Sequence, residues 1–444
     1  EQGVGEEHLH VAEPWPDTVQ AGPFTVGFAP ISHSIPEASS LVIDTPAGRI
    51  VHTGDFKLDA TPLVGEPWDP ALYEDIAKGN VKALVCDSTN VFSPKPGRSE
   101  AQVGPEIVKL VQHAKGMVVA TTFASNVARV KSLADAAVEA GRSVCLLGRA
   151  MRRMVEASVS TGVLTDFPTT VTPEEAEDIP RANLMLLVTG SQGEHRAASA
   201  ALSRGKYLGL EMTEGDLFLF SSKVIPGNEK GVIRIMNRFS EKGVDVVDDS
   251  DGLYHVSGHA NRPDLTMVHE LLKPRMVIPM HGEHRHLREH AALARSNGKA
   301  SVVAPNGTMI DLTGDGPRVA EYIETGRTYL DGDVQIGALD GVVRDRLRMA
   351  TNGHVLVTLI VEDDEPLGEP WVELSGVAET GSSNAPLVDV LEEDLSQLVG
   401  RMKRKTLADD DALEDDIRNS VRRTAQDEIG KKPEVTVVIS RLAG

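Results

Sequence analysis

Aromatic residues make up only 4% of the 444-residue chain, and there are just two cysteines. Few aromatics mean that the cores must be aliphatic, and the apolar runs at 81–86, 184–188 and 276–280 fit that demand. Cys86 and Cys145 both lie in apolar, strand-like runs, and no CxxC occurs. This excludes a disulfide scaffold and points to buried thiols in a reducing compartment. No apolar stretch approaches the ~18–20 residues of a membrane span, and none reads as a signal peptide, so a cytoplasmic protein without membrane attachment is expected. Positive charge is also short. Lys and Arg number 45 against 66 Asp and Glu, leaving a net charge of −21. Taken alone, that disfavours a nucleic-acid partner. Phosphate attraction is local, however, and depends on basic channels and bound metal. Basic clusters occur at Arg149, Arg152 and Arg153, at Arg401, Lys403, Arg404 and Lys405, and at Arg418, Arg422 and Arg423. Solvated helix faces are the plain alternative for each.

The length allows two to four domains. Residues 23–60 read as strands and turns. From 81 to about 247, apolar strands at 83–86, 117–120, 143–147, 184–188 and 217–221 alternate with amphipathic helices such as 107–114 and 126–140. That βαβα rhythm predicts a mainly parallel α/β sheet covered on both faces. A helix at 262–272, a strand at 276–280 and a helix at 284–297 follow. The Gly/Asp-rich stretch 313–345 reads as a linker. Residues 346–444 read β-β-α-α-β, with charged helices at 387–405 and 409–429, and form a separate small domain.

Three segments place ligand-type side chains at predicted strand ends. They are Ser32-His33-Ser34-Ile35-Pro36, His52-Thr53-Gly54-Asp55-Phe56-Lys57 and Pro279-Met280-His281-Gly282-Glu283. Imidazole nitrogen and carboxylate oxygen from several elements suit zinc or manganese, and an Asp between two ions can bridge them. Taken singly, each His is more often structural. His255-Val256-Ser257-Gly258-His259 is not a zinc-protease helix, because it lacks the Glu and contains a Gly. At a turn it can present backbone N–H groups and an imidazole to phosphate. Thr189-Gly190-Ser191-Gln192-Gly193-Glu194 and the loop 221–229 follow strands, where α/β sheets bind ligands. Ordinary turn chemistry is the competing reading.

Several runs resemble ribonuclease J, in that family's order. They are His33-Ser34-Ile35-Pro36, His52 to Lys57, Asp87-Ser88-Thr89-Asn90, Thr122-Phe123-Ala124-Ser125-Asn126, Thr189 to Glu194, Ile225-Pro226-Gly227-Asn228, His255 to His259, and His281-Gly282-Glu283. The resemblance implies an α/β protein. Its metallo-β-lactamase αββα sandwich, incomplete at the N-terminus, is interrupted by a β-CASP α/β domain and followed by a small α+β domain. The implied boundaries are 1–95 and 250–312 for the β-lactamase parts, 96–249 for the β-CASP insert, 313–345 for the linker and 346–444 for the C-terminal domain. It implies His33, Asp55 and His281 as metal ligands, with Asp55 bridging two divalent ions, zinc in first place and manganese or magnesium as alternatives. His259 would be the general acid at the scissile phosphate, oriented by Asp87. Ser257, Gly258 and His255 would contact RNA phosphate, with Ser125, Asn126, Ser191, Gln192 and Glu194 lining the cleft. The implied chemistry is hydrolysis of single-stranded RNA, as a 5′-to-3′ exonuclease favouring 5′-monophosphate ends and as an endonuclease, in RNA processing and mRNA decay. A homodimer or higher homo-oligomer is implied, with other RNA-decay proteins as further partners.

The sequence departs from the family at Ala128, where His is usual, at Ala150, where Ser is usual, and at His195, where Pro is usual. A larger departure concerns the HxHxDH motif, which should lie well upstream of His33. Only 32 residues precede His33. His8-Leu9-His10 is followed by Ala12 and Glu13 and reads as a surface loop. The expectation is therefore a chain lacking the first metal-binding segment, with an exposed sheet edge and apolar face. Two alternatives compete with the nuclease: a non-catalytic RNA-binding or assembly subunit, and a hydrolase of small esters or thioesters. The long insert argues against the second.

Overall fold

The computed structural model describes residues 4–338 and 340–442. The chain divides into two compact units, the first ending at Ile323 and the second beginning at Glu324, and each is described by itself.

In the first unit, β1 (Thr18–Ala21), β2 (Phe24–Pro30), β3 (Ser39–Thr45) and β4 (Gly48–His52) form an antiparallel meander. The next strand, β5 (Val81–Asp87), joins β4 in parallel. The chain then leaves to build β6 (Val118–Thr121), β7 (Ser143–Leu147), β8 (Thr170–Val171), β9 (Leu184–Val188), β10 (Leu217–Phe220) and β11 (Asp245–Val247). It returns as β12 (Met276–Met280) and β13 (Ala300–Ser301), both parallel to β5. The first sheet thus runs β1-β2-β3-β4-β5-β12-β13, and the second β11-β10-β6-β9-β7-β8.

All pairings in the second sheet are parallel. Its strands are short continuous apolar runs because both faces are covered. Alternate residues go to opposite sides. Val118, Ala120 and Leu187 pack with helices Val103–His113, Val127–Glu139 and Arg149–Ser160. Val119, Leu186 and Phe218 pack with helices Ala198–Arg204 and Glu229–Glu241. Full burial of one such leucine contributes about 2 kcal/mol.

The first sheet buries one face well. Ala29, Val42, Val51, Leu84 and Val277 meet Tyr73 and Ile76 of helix Pro70–Ala77 and Leu265 and Val268 of helix Arg262–Leu272. Its other face, with Val26, Phe28, Leu41, Ile43 and Ile50, is half-buried among the described residues, and β1 is exposed along its length.

In the second unit, strand His354–Glu362 pairs antiparallel with Trp371–Ser375 and parallel with Glu434–Leu442. Helices Leu387–Gly400 and Asp410–Ile429 cover one face through Leu391, Leu395, Leu413 and Ile417. Two readings from sequence differ here. The helix expected over 387–405 stops at Gly400 and restarts as Arg404–Leu407, as the propensity of glycine predicts. The stretch read as a linker, 313–345, holds strands Arg318–Tyr322, Thr328–Asp331 and Val334–Gly337 and the start of helix Val342–Asn352. That helix buries none of its residues and the strands are mostly exposed, and the many Gly and Asp residues of the stretch read as loop.

Candidate active site

The first sheet brings three strand ends to one edge. β4, β5 and β12 are neighbours and parallel, so their C-terminal ends lie side by side at the ~4.8 Å spacing of strands. Asp55 follows β4, Asp87 ends β5, and His281 follows β12, with Met280 in register with Asp87. His281 takes a left-handed φ of +53°, which turns the chain sharply beside the strand ends. Its Nδ1 lies 3.3 Å from Asp55 Oδ1, 3.4 Å from Asp87 Oδ1 and 2.9 Å from Thr89 Oγ1.

His259 arrives from the chain returning out of the second sheet. Asn90 stitches that return in place, its amide donating to Ser257 Oγ (2.8 Å), the His259 carbonyl (3.1 Å) and Asn261 Oδ1 (3.0 Å). The Ala260 amide donates to the Phe56 carbonyl at 2.6 Å. His259 Nδ1 then sits 2.7 Å from Asp87 Oδ2. A carboxylate only accepts, so Nδ1 carries the proton.

Asp87 is 1% exposed. Burial alone would push its pKa up. The hydrogen bonds from His259 and His281, the charge of His259 and the Thr89 amide outweigh that, and the net result lies well below the ordinary carboxylate range. His281 moves the other way, raised chiefly by its hydrogen bond with Asp87.

Asp55, Asp87, His259 and His281 bring ligand atoms within 4.8 Å of one another. His33 stands beside this group, its ring 5.1 Å from that of His259, but outside the four. Its Nδ1 donates to the Gly258 carbonyl at 2.7 Å, leaving Nε2 with a bare lone pair. Burial, with the nearby His259, keeps His33 below the ordinary histidine pKa. Gly258 is required here: a Cβ would stand 2.4 Å from Ser34 Oγ and 2.7 Å from His33 Cε1. Two carboxylates and two imidazoles from rigid strand ends, with a third imidazole alongside, are a donor set that fits a divalent ion such as zinc or manganese.

A cavity of about 350 Å³ adjoins the group, lined by His255, Ser257 and His259 together with Lys95, Arg98 and Lys223. Asp249 is the one carboxylate in that lining, so the cavity is cationic although the chain as a whole is acidic. Asp264 and Asn261 hold the basic turn, accepting from Gly97 N and donating to the Lys95 carbonyl, both at 2.9 Å. Sequence reasoning passed over Lys95 and Arg98. The signal available was two cations in a rigid Pro94-Lys95-Pro96-Gly97-Arg98 turn just after a strand-end acid.

The loops after β6, β9 and β10 gather because those strands are adjacent. They carry Ser125 and Asn126, then Ser191, Gln192 and Glu194, then Lys223. Ser125 is exposed and Ser191 buried. Asn126 Oδ1 accepts the Arg129 amide as the cap of helix Val127–Glu139. Gln192 braces two loops, donating to the Lys223 carbonyl at 3.0 Å and accepting from Ile225 N at 2.8 Å, and Glu194 accepts the Gln192 amide. None of these five lines the cavity. The basic residues near the chain end prove largely paired: Arg418 with Glu414 and Asp415, Arg422 with Glu434, Arg423 with Asp394.

Three family models match the chain: the ribonuclease J β-CASP domain over residues 115–239, the Zn-dependent metallo-hydrolase RNA specificity domain over 252–305, and the ribonuclease J C-terminal domain over 341–442. Ribonuclease J of Sinorhizobium meliloti is 38% identical over 432 residues, covering 96% of this chain and 76% of that protein. The chain belongs to the ribonuclease J family. Ribonuclease J of Mycolicibacterium smegmatis is 35% identical over 418 residues, covering 93% of this chain and 73% of that protein. For ribonuclease J of Corynebacterium glutamicum the figures are 36% over 379 residues, 84% and 53%, so the chain spans about half of that relative's length. Membership places the protein among the metal-dependent ribonucleases. The first sheet belongs to the metallo-β-lactamase fold of ribonuclease J, and the second to the inserted β-CASP domain. No helix among the described residues is long and apolar enough to cross a membrane.

Proposed function

We propose that this ribonuclease J chain hydrolyses single-stranded RNA at the edge where β4, β5 and β12 end, cutting from 5′-monophosphate ends and also internally, in RNA processing and decay. The carrying observation is the convergence of Asp55, Asp87, His259 and His281 beside a cavity bearing Lys95, Arg98 and Lys223. Asp55 and His281, with Nε2 of His33, would hold the divalent ions, zinc in first place. Ions held there would supply Lewis-acid chemistry at the phosphoryl group and a water of lowered pKa.

His259 supplies the complementary proton. His259 enters as the imidazolium, with Asp87 holding Nδ1–H, and gives its Nε2 proton to the departing 3′ oxygen as the P–O3′ bond breaks, while the proton lost by the attacking water passes to solvent. The product carries a 5′-phosphate, which is the end the same site then takes. Lys95, Arg98 and Lys223 neutralise the flanking phosphates, and Ser257, Gly258 and His255 contact the backbone at the cut. Ser125, Asn126, Ser191, Gln192 and Glu194 shape the wall formed by the β-CASP loops.

The test is incubation with manganese or zinc and a 5′-monophosphorylated single-stranded RNA, alongside Asp55→Ala and a chelated control, scoring both mononucleotide release and bound RNA. Release that fails in both controls supports the reading. Bound RNA with no metal-dependent cleavage contradicts it and favours an RNA-binding subunit.

A further inference from the structure

Arg129 heads the largest fully buried side chains among the described residues, and the reading above gives it no task. Its Nε and Nη2 donate to the two oxygens of Glu100 at 2.6 and 2.9 Å. Its Nη1 faces the carbonyl and hydroxyl of Ser221 (3.0 and 3.1 Å), the Tyr254 carbonyl (3.1 Å) and Nδ1 of His255 (3.3 Å). One guanidinium therefore joins the segment leaving β5, the end of β10 and the chain returning toward His259. Lys57 adds a second buried cation, 2.9 Å from Asp59 and 3.9 Å from Glu100.

Proton bookkeeping points to the state of His255. A guanidinium donates and never accepts. A proton on Nδ1 would turn an N–H toward the guanidinium's own hydrogens 3.3 Å away, so the arrangement favours a bare Nδ1 with the ring proton on Nε2. That nitrogen has no partner among the described residues, and His255 lines the cationic cavity. We propose that Arg129 is a positioning residue that locks His255 as the Nε2–H tautomer, so that the ring offers a phosphate oxygen of bound RNA a donor and never an acceptor. The wrong tautomer would aim a lone pair at an anion. The charged groups around the ring agree with this. Burial first, then the cations Arg129, Lys223 and Lys57, push the pKa of His255 down to about 3, so the ring keeps this neutral form throughout the neutral range.

The role in RNA binding rests on the function proposed above, whereas the lock stands without it. Two measurements separate them. In histidine-¹⁵N-labelled protein, long-range proton–nitrogen spectra report the tautomer directly, with His255 assigned by its loss in His255→Gln. The Nε2–H form is expected from pH 8 to pH 5, and Arg129→Gln paired with Glu100→Gln, which leaves no unpaired buried charge, should release it to a mixture. An Nδ1–H ring in the native protein, or an unchanged spectrum in the folded double variant, overturns the lock. In binding to 5′-phosphorylated RNA, His255→Leu should lose about tenfold or more, and His255→Gln, which restores an N–H near the Nε2 position, should recover part of that loss. Native affinity in His255→Leu overturns the donor role. If the native protein itself does not bind RNA, the fault lies with the functional reading, and the spectra still decide the lock.

Discussion

Asp87→Asn removes the charge facing His259 and reverses the hydrogen bond to its ring, with little change of shape. In the native protein Asp87 Oδ1 accepts from Thr89 N and Oγ1 at 2.9 and 2.7 Å, and Oδ2 accepts from His259 Nδ1 at 2.7 Å. An asparagine that keeps the Thr89 bonds through Oδ1 carries no charge and turns its NH2 donor toward His259 Nδ1, which must then give up its proton. It therefore no longer stabilises an imidazolium, the form His259 needs to act as an acid. Charge centres roughly 4 Å apart at an effective dielectric of 20 interact by about 4 kcal/mol, which corresponds to about three decades of rate. That falls within the range of general acid–base effects, ~10²–10⁴. The assay is single-turnover cleavage of a 5′-monophosphorylated RNA at saturating manganese, so that weakened metal binding does not masquerade as lost acid catalysis. RNA affinity should change little. A variant that cleaves within about fivefold of the native rate would refute the Asp87–His259 couple, since such a small change is under 1 kcal/mol.

Other expectations follow from the same geometry. His269 and His290 are fully buried with their Nε2 atoms 3.2 Å apart, and burial holds both pKa values well below 6.5. Unfolded, each takes up a proton near pH 6.5, so their contribution is complete above that pH and is lost as the pH falls, by about 1.4 kcal/mol per ring per pH unit. His281, with its raised pKa, opposes this weakly. Urea midpoints should drop from pH 7.5 to pH 5, and a His269→Leu/His290→Leu variant should show a flatter profile; an equally steep one would discount the pair. Lys95→Ala and Arg98→Ala should each weaken RNA binding at low salt and reduce the slope of log K against log salt by about 0.7 per lost phosphate contact. An unchanged slope would remove that cation from the RNA path. Breaking the Gly258 contact with Gly258→Ala should displace His33 and weaken metal affinity with little loss of fold, readable by calorimetric titration with manganese; native affinity would mean that the close approach is dispensable.

Much of the fold was legible because its strands are fully buried runs, such as 184–188, bounded by turn residues, and its helices carry clear apolar stripes. The parallel β-CASP sheet followed from that alternation. Legibility failed where burial is slight, as in helix Val342–Asn352, whose buried side is absent. At the site, Asp55 and His281 stood out because each follows a strand, Asp87 entered through the resemblance to ribonuclease J, and parallel pairing brings the three together. Lys95, Arg98 and Arg129 did not stand out. Their partners lie far off in sequence: Arg129 meets Glu100 at a separation of 29 residues and His255 at 126. The basic runs that did stand out near the chain end are mostly neutralised by carboxylates of their own unit. Local density of charge was a poor guide, because the second sheet's loops and the returning chain, which local pattern does not show, decide which cations meet.

The central claim is that the catalytic metal sits on the strand-end donors Asp55 and His281. Anomalous diffraction at the manganese edge from crystals grown with Mn²⁺ tests it most directly. The strongest peak is expected within coordination distance of donor atoms of both residues. A peak confined to the separate buried group of Cys86, His269 and His290, with Asp55 and His281 bare while cleavage remains manganese-dependent, would contradict it.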